Sequence, residues 1–381
     1  MTETVLLTTH RIGDVNRSRV LQAFVDHGAL SRADVARLAG VPRATIGTIV
    51  QGLMDAGLLE ELSPDRDGRV GKPGRPLWFS PQAGLSVAVG FTDDAVRAAL
   101  VNARGERLEE AAVELDAAAA SAPALLNAVE HAARSVLPRA GVLGVGVAVP
   151  GVCDTEAGEV VASGPLPGAE GTELVRRLTR TLELPVLVDN DARAQALGEK
   201  WFGDARGLSS FAAVQTGAGL GVGLVLGGHL FRGDDGRVGE LGHTRVVDGG
   251  ERCRCGLYGC WETVATLGWL RAEAARRGLP GAATMTSRTL HDPGLLADYV
   301  GNLAIGLATL VNLLGMRRFF LHGDVVAGGE PVRAALEAAV RTLSLGHVRD
   351  EVQVALSSLD ADATLLGAAG LVLSDTFRLA S

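Results

Sequence analysis

The sequence predicts a winged helix-turn-helix over residues 1–80 followed by a larger α/β body over residues 81–381. Three observations lead there. At 381 residues the chain exceeds one ordinary domain. Apolar residues recur at helical spacing in three short runs between Asn16 and Leu59, each closed by a glycine. Charge is also unevenly spread. The chain carries −8 in total, yet residues 1–80 hold ten Arg or Lys against nine Asp or Glu, and residues 11–50 hold six Arg against three Asp. An acidic total argues against a nucleic-acid binder; a mildly basic module on an acidic body restores that reading.

The first run, "NRSRVLQAFVDHG", places Val20, Leu21 and Phe24 on one stripe and stops at Gly28. The second, "SRADVARLAG", opens on Ser31 with Asp34 three residues on, a capping-box arrangement with the shorter acid, and stops at Gly40. The third, "VPRATIGTIVQGLMDAG", has Pro42 near its start and ends at Gly57. Ile46, Ile49, Val50 and Leu53 face inward in this reading, leaving Arg43, Thr45, Thr48 and Gln51 outside. Two helices joined by Gly–Val–Pro form a helix-turn-helix, whose second helix would enter the major groove of double-stranded DNA. "LLEEL" and "PLWFS" then read as strands around a Gly/Pro-rich hairpin, a wing carrying Arg69, Lys72 and Arg75 toward phosphate or the minor groove. The competing reading is a small helical bundle with an ordinary basic linker.

Hydrophobic residues make up 47% of the chain and charged ones 21%, enough for sizeable cores. The uncharged run Gly207 to Phe231 carries seven glycines and polar interruptions, which suits loops and buried strands. Val300 to Met316 is short and holds two Asn, so it reads as a buried core helix. No basic segment followed by an apolar stretch opens the sequence. The expectation is a soluble, cytoplasmic protein with no membrane partner.

"ERCRCGLYGCWE", residues 251–262, holds three of the four cysteines. Cys253 and Cys255 are badly placed to bridge each other, and a bridge from either to Cys260 leaves an odd thiol. With His243 ten residues upstream, the three thiolates suit a closed tetrahedral Cys3His zinc site, structural because no coordination position stays open. Free structural thiols or a redox pair are the alternatives. Cys153 sits close to an apolar run and reads as a buried thiol.

"GELGHTRVVDGGERCRCGLYGCWE" resembles the zinc signature of the ROK family (repressors, open reading frames, kinases), and the resemblance runs from about residue 84 to about 375. It implies an actin-like (ribonuclease H-like) two-lobed body of the sugar-kinase type, with an N-terminal winged helix-turn-helix as the family's repressors carry. It also implies a sugar site. "VAVPG" at 147–151 resembles the family's Pro-Gly loop, and Asn190 and Asp191 of "VLVDNDARAQALGE" match its sugar-gripping pair. Glu240 and His243 match the GE-x-GH segment, and Glu262 the acid after the last cysteine. Such groups suit a polyhydroxylated ligand, each engaging adjacent hydroxyls. His243 would ligate zinc through one ring nitrogen and meet a hydroxyl with the other. The competing reading is a set of solvated acids beside a zinc knuckle. Arg193 stands where the family usually has Asn, and Pro165 of "ASGPLPG" where an Asn often contacts the sugar; both bear on which sugar fits.

In the family's kinases Asp191 would be the general base, removing a proton from the sugar hydroxyl that attacks the γ-phosphate of ATP. Their D-x-GGT phosphate loop falls here on "VAVGFTDDAVRAALVNARG", with Gly90 at the Asp, Thr92 and Asp93 at the two Gly, and Asp94 at the Thr. Two carboxylates beside a triphosphate are strongly unfavourable. "FFLHGDVV" likewise places His322 and Gly323 where a Gly-Gly pair near adenosine is expected. The expectation is therefore no sugar kinase activity, but a sugar-gated regulator, most simply a repressor of carbohydrate genes. As a homodimer or homotetramer it would read a pseudo-palindromic operator.

Overall fold

The computed structural model describes residues 9–63, 75–233 and 238–379. The N-terminal region holds α1 (Thr9–His27), α2 (Arg32–Ala39) and α3 (Arg43–Asp55), then β1 (Leu59–Glu61) and β2 (Leu77–Phe79), which pair antiparallel. Ser31 caps α2 by accepting from the Asp34 amide at 3.2 Å. The Asp34 carboxylate in turn accepts from the Ser31 hydroxyl at 2.7 Å. Helix α1 starts seven residues before the run that begins at Asn16; "THRIGDV" has too few regularly spaced apolar residues for periodicity to detect.

The first lobe continues with β3 (Leu85–Phe91), β4 (Ala95–Val101), β5 (Arg107–Glu114), α4 (Ala122–Val136), β6 (Val142–Val149), β7 (Val152–Asp154), β8 (Glu159–Ala162), α5 (Leu174–Leu182), β9 (Val186–Asn190) and α6 (Asp191–Trp201). The second holds β10 (Phe211–Thr216), β11 (Leu220–Leu226), β12 (His229–Leu230), α7 (Leu267–Arg276), α8 (Pro293–Leu314), β13 (Arg318–Gly323), α9 (Asp324–Ala327), α10 (Gly329–Leu343), β14 (Gln353–Leu356) and α11 (Ala363–Phe377).

One plan is used twice. The first sheet runs β5-β4-β3-β6-β9 and the second β12-β11-β10-β13-β14. In each, the opening three strands are antiparallel and the last two extend the sheet in parallel. Helices α6 and α11 fill the space between the sheets. Ala194 of α6 and Leu365 and Ala368 of α11 pack on Ala88, Ala99 and Ala148 of the first sheet. Ala196, Leu197 and Leu371 pack on Phe211, Ala213 and Phe320 of the second. The two helices cross on bare backbone: a Cβ on Gly367 would lie 1.8 Å from the Ala194 carbonyl oxygen. Helix α8 is long and apolar enough to cross a membrane, but its Leu303, Leu307 and Val311 are buried in the core of the second lobe.

The N-terminal region does not have a separate core. Val20, Leu21, Phe24, Val50, Leu53 and Phe79 form one cluster with Ala103, Trp201, Leu373 and Phe377 of the body. Phe79 on β2 packs against Trp201, the last residue of α6, with ring centroids 6.4 Å apart. Arg104 adds a polar tie, its Nη2 2.6 Å from Glu60 Oε1 and its Nε donating to the Phe79 carbonyl.

Candidate functional site

Two of the sugar-site candidates stand where β9 turns into α6. Asn190 caps that helix, its Oδ1 accepting from the Arg193 amide at 3.1 Å. Its Nδ2 donates to the Gly151 carbonyl at 2.9 Å and to Asp191 Oδ1 at 3.0 Å. Gly151 must be glycine: its φ is +137°, and a Cβ would lie 2.3 Å from the Ala162 carbonyl oxygen. Asp191 also accepts from the Ala192 amide at 2.8 Å. Burial pushes its carboxyl up to about 6; the helix amide works against this, and the nearby Glu240 carboxylate adds to it.

The other three sugar-site candidates arrive from the second lobe. His243 Nε2 lies 3.6 Å from Glu240 Oε2 and 4.0 Å from Glu262 Oε2. Glu262 is buried, while Glu240 is exposed. All five residues thus share one constellation, made of carboxylates, an amide and an imidazole.

The opposite nitrogen of His243, Nδ1, faces Cys253 Sγ at 3.4 Å, and Cys255 Sγ lies 3.7 Å from Cys260 Sγ. The ligand atoms of His243, Cys253, Cys255 and Cys260 all fall within 4.8 Å of one another, so the group could hold a metal ion. All four cysteines of the chain are free thiols. Burial, and then hydrogen bonds with Cys255 and Cys253, push the Cys260 thiol up to about 12. At Cys255 burial is outweighed by the Leu257 amide and the two neighbouring thiols, and its thiol is lowered. Thiols crowded in this way, and pulled in opposite directions, are what a cation would relieve. Cys153 lies elsewhere, buried in the first lobe's core, and burial pushes its thiol up to about 12.

Arg193 sits where the family favours Asn, but it does not simply line the cleft. It is 2% exposed, with Nε on Asp189 Oδ1 at 2.5 Å and Nη1 donating to the Val238 carbonyl at 2.7 Å. The other Asp189 oxygen takes Arg232 Nε at 2.9 Å. Arg193 therefore ties the start of α6 to the segment leading into Glu240. Its Nη2 is buried with no partner.

The turn aligned with a phosphate loop exposes Asp93 and Asp94. Thr92 Oγ1 donates to Asp94 Oδ1 at 2.8 Å, closing the turn on itself. His322 is buried on the face toward α6, its Nε2 3.5 Å from Glu199 Oε1, and neither ring nitrogen makes a hydrogen bond. Burial lowers its pKa to about 4.

On the candidate DNA face Arg43, Thr48 and Gln51 are exposed and Thr45 is half-buried. Ile46, Val50 and Leu53 are buried, while Ile49 is only half-buried. Gln51 Nε2 donates to Asp55 Oδ1 at 2.8 Å. Arg75 is exposed but not unpaired: Glu61 holds it at 3.2 Å while also taking Arg32 at 2.6 Å. Arg69 and Lys72 lie outside the described residues. Sequence reasoning missed three features: Arg254 against Glu262, the Asp189–Arg232 pair, and the aromatic junction of Phe79, Trp201 and Phe377. An Arg between two cysteines and isolated aromatics carry no periodic signal.

A model of the ROK family matches residues 85–375. The chain belongs to the ROK family. A model of the MarR family matches residues 14–70, over the winged helix. Among ROK relatives, the xylose repressor of Bacillus subtilis strain 168 is 24% identical, over 94% of this chain and 95% of its own length. The DNA-binding transcriptional repressor Mlc of Escherichia coli K12 is 24% identical, over 94% and 93%. A solved ROK family transcriptional regulator, described as a homologue of E. coli Mlc, superposes with a TM-score of 0.76 at 24% identity, covering 96% of this chain and 99% of that one. The ROK body here has the actin-like two-lobed fold that the resemblance implied.

Proposed function

We propose that this ROK protein is a sugar-responsive transcriptional repressor of carbohydrate genes without kinase activity. Residues 1–80 bind operator DNA, and residues 81–381 bind sugar and dimerise. One observation carries the reading. Helix α6 has Asn190 and Asp191 at its N-terminal end, in the polar constellation, and Trp201 at its C-terminal end, in the core shared with the winged helix. Eleven residues of helix, roughly 16 Å, link the two.

In the proposed mechanism Asn190, Asp191, Glu240, His243 and Glu262 hold adjacent hydroxyls of a sugar across the cleft. His243, Cys253, Cys255 and Cys260 hold a structural Zn2+, which fixes the His243 ring with Nε2 toward the ligand. Cleft closure moves α6 and α11 and thereby re-aims Arg43, Thr45, Thr48 and Gln51, with Arg69, Lys72 and Arg75 of the wing. A ligand shifts the equilibrium only by its differential affinity for the two states, about 1–3 kcal/mol for such couplings. The working form is a cytoplasmic homodimer or homotetramer on a pseudo-palindrome. The names of the two relatives, a xylose repressor and a DNA-binding repressor, support this reading. Asp93 and Asp94 at the degenerate phosphate turn favour binding without phosphoryl transfer.

The test is a gel-shift titration on DNA upstream of the protein's own gene, at fixed salt, with pentoses, hexoses, amino sugars and disaccharides. Release by one sugar, without sugar-dependent ADP formation, is the expected result. DNA binding indifferent to every sugar would favour a constitutive DNA-binding dimer. ADP release at ordinary enzyme rates would make the protein a bifunctional kinase.

A further inference from the structure

The Cys253–Cys255 turn carries a side chain that the sugar-site pattern does not include. Arg254 reaches back from between the two thiols, placing Nε 2.7 Å from Glu262 Oε1 and Nη2 3.1 Å from Glu262 Oε2. This is the bidentate fork geometry that fixes both the position and the plane of a carboxylate. Glu262 is buried, whereas Arg254 is 48% exposed, so the pair meets at the wall of the cleft.

Two glycines make room for the guanidinium. A Cβ on Gly164 would lie 3.3 Å from Nη1, and one on Gly219 3.5 Å from Nη2. Gly164 belongs to the first lobe's "ASGPLPG" loop, and Gly219 to the β10–β11 turn of the second. Arg254 thus bridges the lobes. Its Nη1 edge faces the loop whose next residue, Pro165, has neither an amide N–H nor a polar side chain to offer a ligand.

Resting on the sugar-site reading above, we infer that Arg254 is a specificity-determining, ligand-contacting residue. It supplies a hydrogen-bond donor to the sugar from the place where Pro165 cannot, and it holds Glu262 in a fixed orientation to accept. Its charge also sets the ligand class. Asp191, Glu240 and Glu262 place three carboxylates in the cleft, a field that alone would attract a cationic amino sugar. Arg254 offsets one of them, and the remaining acids repel a phosphate or carboxylate. The cleft therefore selects an unphosphorylated sugar, and Arg254 tempers its attraction for a cationic one.

Full-length protein purified with its metal is titrated calorimetrically with D-xylose, D-glucose, D-glucosamine and D-glucose 6-phosphate. Wild type is expected to bind glucose 6-phosphate at least tenfold more weakly than the unphosphorylated sugars. In Arg254→Gln the neutral sugar weakens at least tenfold, and the neutral-to-amino affinity ratio falls by a similar factor, with metal content unchanged. Arg254→Lys keeps the ratio through its charge but loses affinity with the fork. A merely structural role would lower all affinities together, leaving the ratio fixed, and that result overturns the proposal. Loss of metal in Arg254→Gln, with Arg254→Lys also lowering the ratio, overturns it as well. If wild type binds none of the four and Asp191→Ala alters nothing, the sugar-site reading fails first. If wild type binds but Arg254→Gln keeps the same ratios, that reading stands and only this inference falls.

Discussion

Phe377, at the end of α11, stacks on Phe79 of the wing strand, with ring centroids 6.0 Å apart and planes 11° from parallel. Trp201, at the end of α6, completes the group 6.2 Å from Phe377 and donates through Nε1 to Ser374 Oγ at 2.8 Å. Both interlobe helices therefore end in the core of the winged helix. Phe377→Leu keeps most of the buried volume but loses the stacked plane, and should cost about 1 kcal/mol of stability. Sugar affinity, read by calorimetry, should stay within twofold. The sugar-induced change in operator affinity, read by gel shift, should shrink at least threefold. An undiminished response would place the coupling elsewhere.

Asp191 gives a pH signature with a definite sign. Its carboxyl is pushed up to about 6 by burial, so the folded chain holds this proton more tightly than the unfolded chain. The group's contribution to stability is then full below about pH 4 and is lost as pH rises through 6. Asp191→Asn should stabilise the fold at pH 7.5 by roughly 1 kcal/mol after discounting for solvent, seen as a higher melting temperature, and leave stability unchanged near pH 4. Wild-type sugar affinity should rise as pH passes 6, because the carboxylate accepts hydroxyl hydrogen bonds through both oxygens and more strongly than the acid does. The Asn variant should bind sugar weakly at every pH.

Cys255→Ser removes one ligand from the His243, Cys253, Cys255 and Cys260 group. Zinc measured by plasma emission should fall from one per chain toward zero. Sugar response should vanish with it, because His243 loses the anchor that orients Nε2 between Glu240 and Glu262. Unchanged metal content would mean that the ligand set is wrong.

On the proposed DNA face, mutation should tell base-reading from phosphate-binding groups. Gln51→Ala and Thr48→Ala should weaken the operator by about 1–3 kcal/mol and relax its sequence preference, read by competition with altered half-sites. Glu61→Gln frees Arg75 from its ion pair, and should tighten binding to every sequence while steepening the salt dependence. A uniform loss with Gln51→Ala would move that residue to the phosphate group.

Much of this was legible in the sequence. Glycine stops and the Ser31 cap placed α2 and α3 nearly to the residue, because caps and positive-φ glycines are local requirements. Asn190, Asp191, Glu240, His243 and Glu262 could be named because they sit in motifs of fixed spacing. What stayed hidden depends on distant partners. Nothing about Arg193 says that it would be buried against Asp189 and the Val238 carbonyl. Nothing about Arg254 says that it would turn toward Glu262 and the Gly164 loop. The early start of α1 was missed for the opposite reason: those turns carry no apolar stripe to betray them.

The shared core has a bearing on how such proteins can be recombined. A reading head cut after residue 80 would leave Phe24, Leu77 and Phe79 facing water where Trp201, Leu373 and Phe377 had covered them. Exchanging heads between relatives therefore means exchanging the seat as well: a working chimera must carry matched residues on α6, on α11 and at Arg104. Heads and bodies are then constrained to change together, and a new operator is more easily acquired by altering the outward face of α3 than by borrowing another protein's winged helix.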